Sequence, residues 1–238
     1  MINIERIFFI DIETTPQTAT LDELPQAMRQ LWTEKFSRLQ QSMPGRYDTT
    51  LSANDSFMKN AGIFAEFGRI ICISVGVIRQ GKLRIKSFAG HDEHALLAQF
   101  AEMISKKDYA DYNFCGHNIK EFDIPYICRR MLINGIALPS LLQINAKKPW
   151  EVNLLDTMDF WKFGDYKNYT SLKLLSTVFN IPTSKDDIDG SEVATVYYVE
   201  NNLERIVVYC QKDVIVTTRV WLRMNGHNTI ADEEIEYR

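Results

Sequence analysis

No Cys-x-x-Cys spacing occurs among Cys72, Cys115, Cys128 and Cys210, the four cysteines of this 238-residue chain. They lie mostly in apolar stretches, which reads as reduced, buried thiols and argues against a zinc site or a disulfide framework. No apolar run approaches the ~20 residues of a membrane span. The N-terminus leads into a strand-like segment containing Glu5 and Arg6 and carries no signal-peptide pattern. A cytoplasmic protein with no membrane partner is therefore expected. A basic excess is also missing: the formal net charge is −4, which argues against coating nucleic acid by bulk electrostatics. A local cleft is not excluded, because an acidic metal site lowers the net charge and bound Mg²⁺ or Mn²⁺ would reverse the sign where phosphate sits. Internal repeats and low-complexity tracts are absent too. What is left is a chain of ordinary composition, long enough for one α/β domain with a substantial core.

Residues 6–11 read as a buried strand, a short apolar run without helical period. From Thr14 to Gly68 the pattern changes. Leu21, Leu24, Met28, Leu31, Trp32 and Phe36 follow helical spacing to about residue 41, then Pro44-Gly45, Asn54-Asp55 and Gly62 interrupt it. An insertion of helix and loop over approximately 15–68 is expected within a single domain spanning 1–238. Ile70–Ile78 and Leu83–Phe88 read as strands joined by a hairpin turn at 79–82. Glu93–Ile104 reads as an amphipathic helix, Tyr112–Cys115 as a strand, and a helix follows with Asp123 in its first turn, ending near Asn134-Gly135. A strand is expected at Val152–Asp156, helices at about 171–179, 190–199 and 203–224, and a polar tail after that. The order implies a mixed sheet with helices on both faces.

Three short acidic signatures stand far apart on this frame. Asp11-Ile12-Glu13 closes the first strand, where residues two apart share a face. Asn118-Ile-Lys-Glu-Phe122-Asp123 leads into a helix whose N-terminal dipole favours the Asp123 charge. Tyr209 and Asp213 are four apart on a helix and project together. Open α/β sheets carry their sites just outside strand ends, so the three can converge there. Four carboxylates held together repel one another and raise each other's pKa. Hard divalent cations with oxygen ligands remove that penalty, and a pair of ions can activate water and stabilise the leaving oxygen of a phosphodiester. Tyr209, a phenol with an ordinary pKa near 10, suits an orienter of that water better than a base. Taken singly, each signature has a plainer reading: a solvated strand end, a helix cap and an ordinary helix pair. Their joint order and spacing favour the site.

This constellation resembles the DEDD 3′–5′ exonucleases, in the tyrosine-containing (DEDDy) subclass, and within it the proofreading exonuclease domain of family-B DNA polymerases. Phe9-Ile10-Asp11-Ile12-Glu13-Thr14 is similar to the first motif of that family, Asn118-x-x-x-Phe122-Asp123 to the second and Tyr209-x-x-x-Asp213 to the third. The stretch Lys185-Asp186-Asp187-Ile188-Asp189-Gly190-Ser191, with Tyr209-Cys210-Gln211-Lys212-Asp213, resembles stand-alone bacterial exonucleases related to that domain. The resemblance implies a ribonuclease-H-like fold, a mixed five-stranded sheet flanked by helices with the insertion after the first strand. It also implies two Mg²⁺ or Mn²⁺ ions on Asp11, Glu13, Asp123 and Asp213, with Glu13 and Tyr209 positioning the attacking water. The substrate would be a single-stranded 3′ end, DNA ahead of RNA, degraded to nucleoside 5′-monophosphates. The 238 residues leave no room for a polymerase module, so proofreading in the same chain is not expected.

Thr14, Thr15, Asn118 and Phe122 are candidates for substrate contact, although turn and cap roles would explain the threonines and Asn118 equally well. His117 reads as structural, since the third motif already carries a tyrosine. Lys147, Lys148, Lys162, Lys167 and Lys173 interleave with Trp150, Trp161, Phe163, Tyr166 and Tyr169, a mixture that suits single-stranded nucleic acid, with at least half of the aromatics assigned to the core. Asp156 and Asp187 read as strand-end and loop acids. The alternatives are an RNA-trimming exoribonuclease, or a ribonuclease-H-like module that binds nucleic-acid ends with little turnover. The sequence does not choose between DNA and RNA, because that depends on treatment of the 2′-OH.

Overall fold

A computed structural model describes residues 2–145, 147–148, 151–165, 169–182 and 188–238. The expectations for Trp150, Tyr166, Lys167, Lys185, Asp186 and Asp187 lie outside those residues. The strands are β1 (Ile7–Pro16), β2 (Gly68–Arg79), β3 (Lys82–Ala89), β4 (Asn113–Gly116), β5 (Leu154–Asp156) and β6 (Ile235–Tyr237). The helices are α1 (Gln26–Ser42), α2 (Ala53–Asn60), α3 (Glu93–Ile104), α4 (Asp123–Ile133), α5 (Thr157–Lys162), α6 (Leu172–Val178), α7 (Val193–Tyr198) and α8 (Leu203–Met224). The sheet order is β5-β4-β1-β2-β3-β6. β1 pairs antiparallel with β2, and β2 with β3, while β1–β4, β4–β5 and β3–β6 are parallel.

Local chemistry sets most of these boundaries. Gln80 (φ 53°) and Gly81 (φ 77°) both adopt positive φ between β2 and β3, as a two-residue type I′ hairpin turn demands. α3 starts where the Asp92 carboxylate accepts the Ala95 amide at 3.0 Å, a side-chain N-cap. α4 stops at Gly135 (φ 70°), with the Ile136 amide donating back to the Met131 carbonyl at 2.8 Å, the C-terminal motif that glycine permits.

β1 is the central strand and its side chains alternate between two cores. Phe8, Ile10 and Ile12 pack with Leu97 and Phe100 of α3 and with Ile124, Ile127 and Met131 of α4. Ile7 and Phe9 pack on the other face with Val214, Trp221 and Leu222 of α8. α8 lies so close to the sheet that a Cβ on Gly76 would sit 2.9 Å from Val214 Cγ1. The segment between β1 and β2 has a small core of its own, with Trp32, Phe36, Tyr47, Phe57 and Phe67 buried together. The Trp32 indole donates to the Ala53 carbonyl at 2.9 Å, joining α1 to α2.

Two expectations need correction. β1 runs on to Pro16, so residues 15 and 16 belong to the strand rather than to the insertion. The sheet has six strands rather than five, because the C-terminal residues form β6 instead of a free polar tail. Three residues are too short to show an alternation. β6 is fixed instead by pairing with β3 and by Glu236, whose carboxylate meets Lys82 at 2.7 Å and Arg84 at 3.1 Å. Among the described residues, no helix is long and apolar enough to cross a membrane.

Candidate active site

Asp11 and Glu13 continue the face of β1 that Ile7 and Phe9 begin, so they point toward α8 where the apolar run ends. Opposite them, β2 is irregular: Glu13 faces Cys72, whereas Thr14 already faces Ile70. The extra residue, Ile71, packs with Ile206 and α7. Such a bulge re-aims the side chains around it. On α8, Ile206, Cys210 and Val214 turn into the core, which leaves Tyr209 and Asp213 on the adjoining face. The Cys210 thiol donates to the Asp11 carbonyl at 3.4 Å and ties helix to strand at the site.

Asp123 is the first residue of α4 and is buried. Its carboxylate lies near its own backbone amide and that of Ile12 on β1. Burial raises its pKa from 3.8 to about 7, with Asp156 and Asp213 adding to the rise and the two amides opposing it. Burial likewise holds Asp11 well above the carboxylate range, reinforced by the charges of Glu13, Asp213 and Asp123. Glu13 is raised by burial and then by Asp213, Cys72 and Asp123. The four acids are thus electrostatic neighbours. Burial, then the charges of Asp213, Glu13 and Asp11, push the Tyr209 phenol far above its ordinary range, so it stays protonated.

Ligand atoms of Asp11, Glu13 and Cys210 lie within 4.8 Å of one another. Asp11 Oδ2 is buried without a hydrogen-bond partner, the condition a cation would satisfy. The sequence marks Cys210 only as a buried thiol. Burial keeps its pKa high, so the ready donors are carboxylate oxygens, which fit a hard divalent cation better than a soft one.

The loop before Asp123 is held by Asp156. This 2 % exposed carboxylate accepts four backbone amides, from Asn118 (3.0 Å), Lys120 (3.1 Å), Met158 (2.9 Å) and Asp159 (3.3 Å). It caps α5 and shapes the second motif together, as a strand-end acid. Asn118 takes a left-handed backbone (φ 65°), and its Oδ1 is buried without a partner. His117 is structural: its Nδ1 meets the Thr157 hydroxyl and its Nε2 the Thr170 carbonyl, both at 2.9 Å. Burial lowers its pKa.

The other expected substrate contacts divide. Thr15 is 0 % exposed, and its Oγ1 is buried without a hydrogen-bond partner. Its backbone runs against Gly62 of the inserted segment. Thr14 is half-buried near Tyr126, whose hydroxyl donates to the Gly62 carbonyl at 2.7 Å. Phe122 is half-buried with its ring 5.4 Å from that of Tyr126. Beside Tyr209 a cleft of about 350 Å³ opens between Ile188, Asn202, Arg205 and Lys212. In the lysine-aromatic stretch, Trp161 packs edge-on against Phe179, while Phe163 and Tyr169 are exposed.

A mixed sheet flanked by helices, with neighbouring acids from the middle of the central strand rather than its end and from two helices, is consistent with a ribonuclease-H-like exonuclease. The chain belongs to a family described as predicted 3′–5′ exonucleases related to the exonuclease domain of PolB, whose model matches residues 62–237. The matched residues include the second and third motifs and begin after Asp11 and Glu13. No curated protein matches the chain.

Proposed function

We propose that this single domain is a metal-dependent 3′–5′ exonuclease that removes nucleoside 5′-monophosphates from single-stranded DNA ends. The observation that supports this reading is the buried pairing of Asp11 and Glu13, whose ligand atoms lie within 4.8 Å of each other and which feel the charges of Asp123 and Asp213. A metal-free cluster of this kind is electrostatically unfavourable. Asp11, Glu13, Asp123 and Asp213 would hold two Mg²⁺ or Mn²⁺ ions, which supply Lewis-acid stabilisation of the phosphodiester and an activated water.

The chain's own part is positioning. Tyr209 keeps its proton and donates a hydrogen bond that orients the attacking water. Glu13 would help to position the same water. Asn118, whose Oδ1 has no internal partner, is free to bond the terminal nucleotide. Thr14 and Phe122, both half-buried, would add contacts to the same nucleotide.

The test is digestion of 5′-labelled DNA and RNA single strands. A descending ladder with Mn²⁺, abolished by EDTA and slowed by a 3′-phosphate, is expected, with DNA degraded faster than RNA. Metal-independent cleavage, or progress from the 5′ end, would overturn the proposal, and faster loss of RNA would make the enzyme an RNA-trimming exoribonuclease.

A further inference from the structure

The turn after α5 breaks a local rule. The Asp165 amide donates to the Lys162 carbonyl at 2.7 Å, and the two residues between them, Phe163 (φ 43°) and Gly164 (φ 88°), both have positive φ. Turns of that hand favour Asn, Asp or Gly, because a side chain is strained there. Glycine meets the demand at the second position, but the first is phenylalanine. Its ring gains no burial in return, since Phe163 is 89 % exposed. Tension between a local rule and the sequence is characteristic of functional positions.

The surroundings of this ring are braced. Asp159 pairs with Lys120 at 2.8 Å and with Lys162 at 3.1 Å. Lys162 Nζ also lies 5.3 Å from the centroid of the Tyr169 ring, itself exposed. Lys120 belongs to the loop that delivers Asp123, and α5 is capped by the Asp156 carboxylate that shapes the same loop. The turn that carries Phe163 and the Tyr169 ring are therefore joined to the frame of the acidic site through one ion-pair cluster.

We propose that Phe163, seconded by Tyr169, is a base-stacking site for the single strand upstream of the nucleotide being removed, with Lys162 and Lys120 near its phosphates. This rests on the exonuclease reading and adds the element that grips unpaired substrate. A π-face accepts every base, so the site would favour unpaired ends without reading sequence. A protein partner would have no need of a ring tied to the catalytic loop.

The test measures binding of fluorescent oligothymidylates of increasing length by anisotropy, with Ca²⁺ in place of Mn²⁺, and their degradation with Mn²⁺. Phe163→Ala and Phe163→Asn should weaken binding of the longer strands about tenfold, as loss of one stacked base does. Phe163→Trp should bind at least as tightly as wild type. In turnover the loss should fall on KM, and its ratio to wild type should grow from dinucleotide to longer strands. Asparagine suits the turn, so Phe163→Asn should melt no lower than wild type while binding worse, a combination that a structural role would not produce. Leu132→Ala, an exposed apolar change at the far end of α4, serves as control. Wild-type degradation with unchanged binding by Phe163→Ala and Phe163→Asn would overturn this inference alone. Binding without degradation would overturn the exonuclease reading, and neither binding nor degradation would overturn both.

Discussion

The Asp156 carboxylate receives the Asn118 backbone amide at 3.0 Å through the same oxygen that caps α5, so one buried acid holds the loop of the second motif and the start of the next helix. Lys120 occupies its other oxygen. Removing it leaves four donors without an acceptor, and each buried unsatisfied group costs about 1–3 kcal/mol before relaxation. Asp156→Ala should lose several kcal/mol in urea unfolding. Asp156→Asn keeps one acceptor and presents a donor to another, so it should also be destabilised, by less. Both should reduce turnover, since Asp123 follows the loop. A stable, fully active Asp156→Ala would refute this account.

The acidic cluster makes metal-free stability depend on pH with a definite sign. Asp123 is raised from 3.8 to about 7, so the folded form holds a proton that the unfolded chain releases in between. Its stabilising contribution is present below about pH 4 and is lost as pH rises through about 7. Asp11 and Glu13 act in the same direction. In EDTA, melting at pH 5 should exceed melting at pH 8 by a larger margin in wild type than in Asp11→Asn/Glu13→Gln. The comparison isolates the cluster from His117, whose lowered pKa works oppositely. An equal margin in the two proteins would mean that the acids are not coupled.

Mn²⁺ should raise the wild-type melting temperature at pH 8, corresponding to about 2.7 kcal/mol at a hundredfold excess over Kd. Asp11→Ala/Glu13→Ala should remove most of this response and could be as stable as metal-free wild type, because the repulsion is relieved. A full metal shift in the double variant would put the ion elsewhere.

Tyr209→Phe should keep the Mn²⁺ shift and lose about 10²-fold in turnover, the scale of one positioned catalytic group. Asp213→Ala should lose both. Mn²⁺ titrations followed by thermal melting, with kcat on the same substrate, separate the two outcomes. A Tyr209→Phe variant with wild-type kcat would remove the phenol from the chemistry.

The ion pair of Arg130 with Glu93 is buried on both sides and bidentate, at 2.9 and 2.5 Å. Glu93 also accepts from the Ile70 amide and from Asn134, and Arg130 donates to the Ala65 carbonyl, so the pair joins α3 and α4 to the start of β2. Glu93→Ala should cost about 3–5 kcal/mol by leaving a buried charge. Glu93→Gln/Arg130→Met should cost less than the sum of its single changes in a urea double-mutant cycle. Additive costs would show that the pair is not coupled.

The site was more legible in the sequence than the frame that holds it. Strand alternation and the four-residue helical repeat are local rules, and they brought Asp11 with Glu13 and Tyr209 with Asp213 to common faces, as their electrostatic coupling reflects. The helix at Glu93–Ile104 and the hairpin turn at 80–81 were equally local. What escaped depends on distant partners. Thr15 looks like a turn residue beside a site, yet it is a buried strand residue whose backbone lies against Gly62, nearly fifty residues on. α5, only six residues long, has too little periodicity to announce itself. β6 exists because Glu236 finds Lys82 and Arg84 across more than 150 residues. Asp156 was readable as a strand-end acid, but its four amide donors come from the loop after β4 and from the first turn of α5.

The central position of β1 has a consequence for synthesis on the ribosome. Its partners β2 and β4 lie some 60 and 105 residues downstream, so at about 5–20 residues per second the Ile7-Phe8-Phe9-Ile10 run waits for several seconds before it can pair. An unpaired apolar strand of this kind is an aggregation hazard. Charged residues bracket it, with Glu5 and Arg6 before and Asp11 and Glu13 after, in the manner of gatekeepers that keep nascent strands from pairing with one another. The same two carboxylates that make the finished cleft electrostatically costly protect the chain while it is being made.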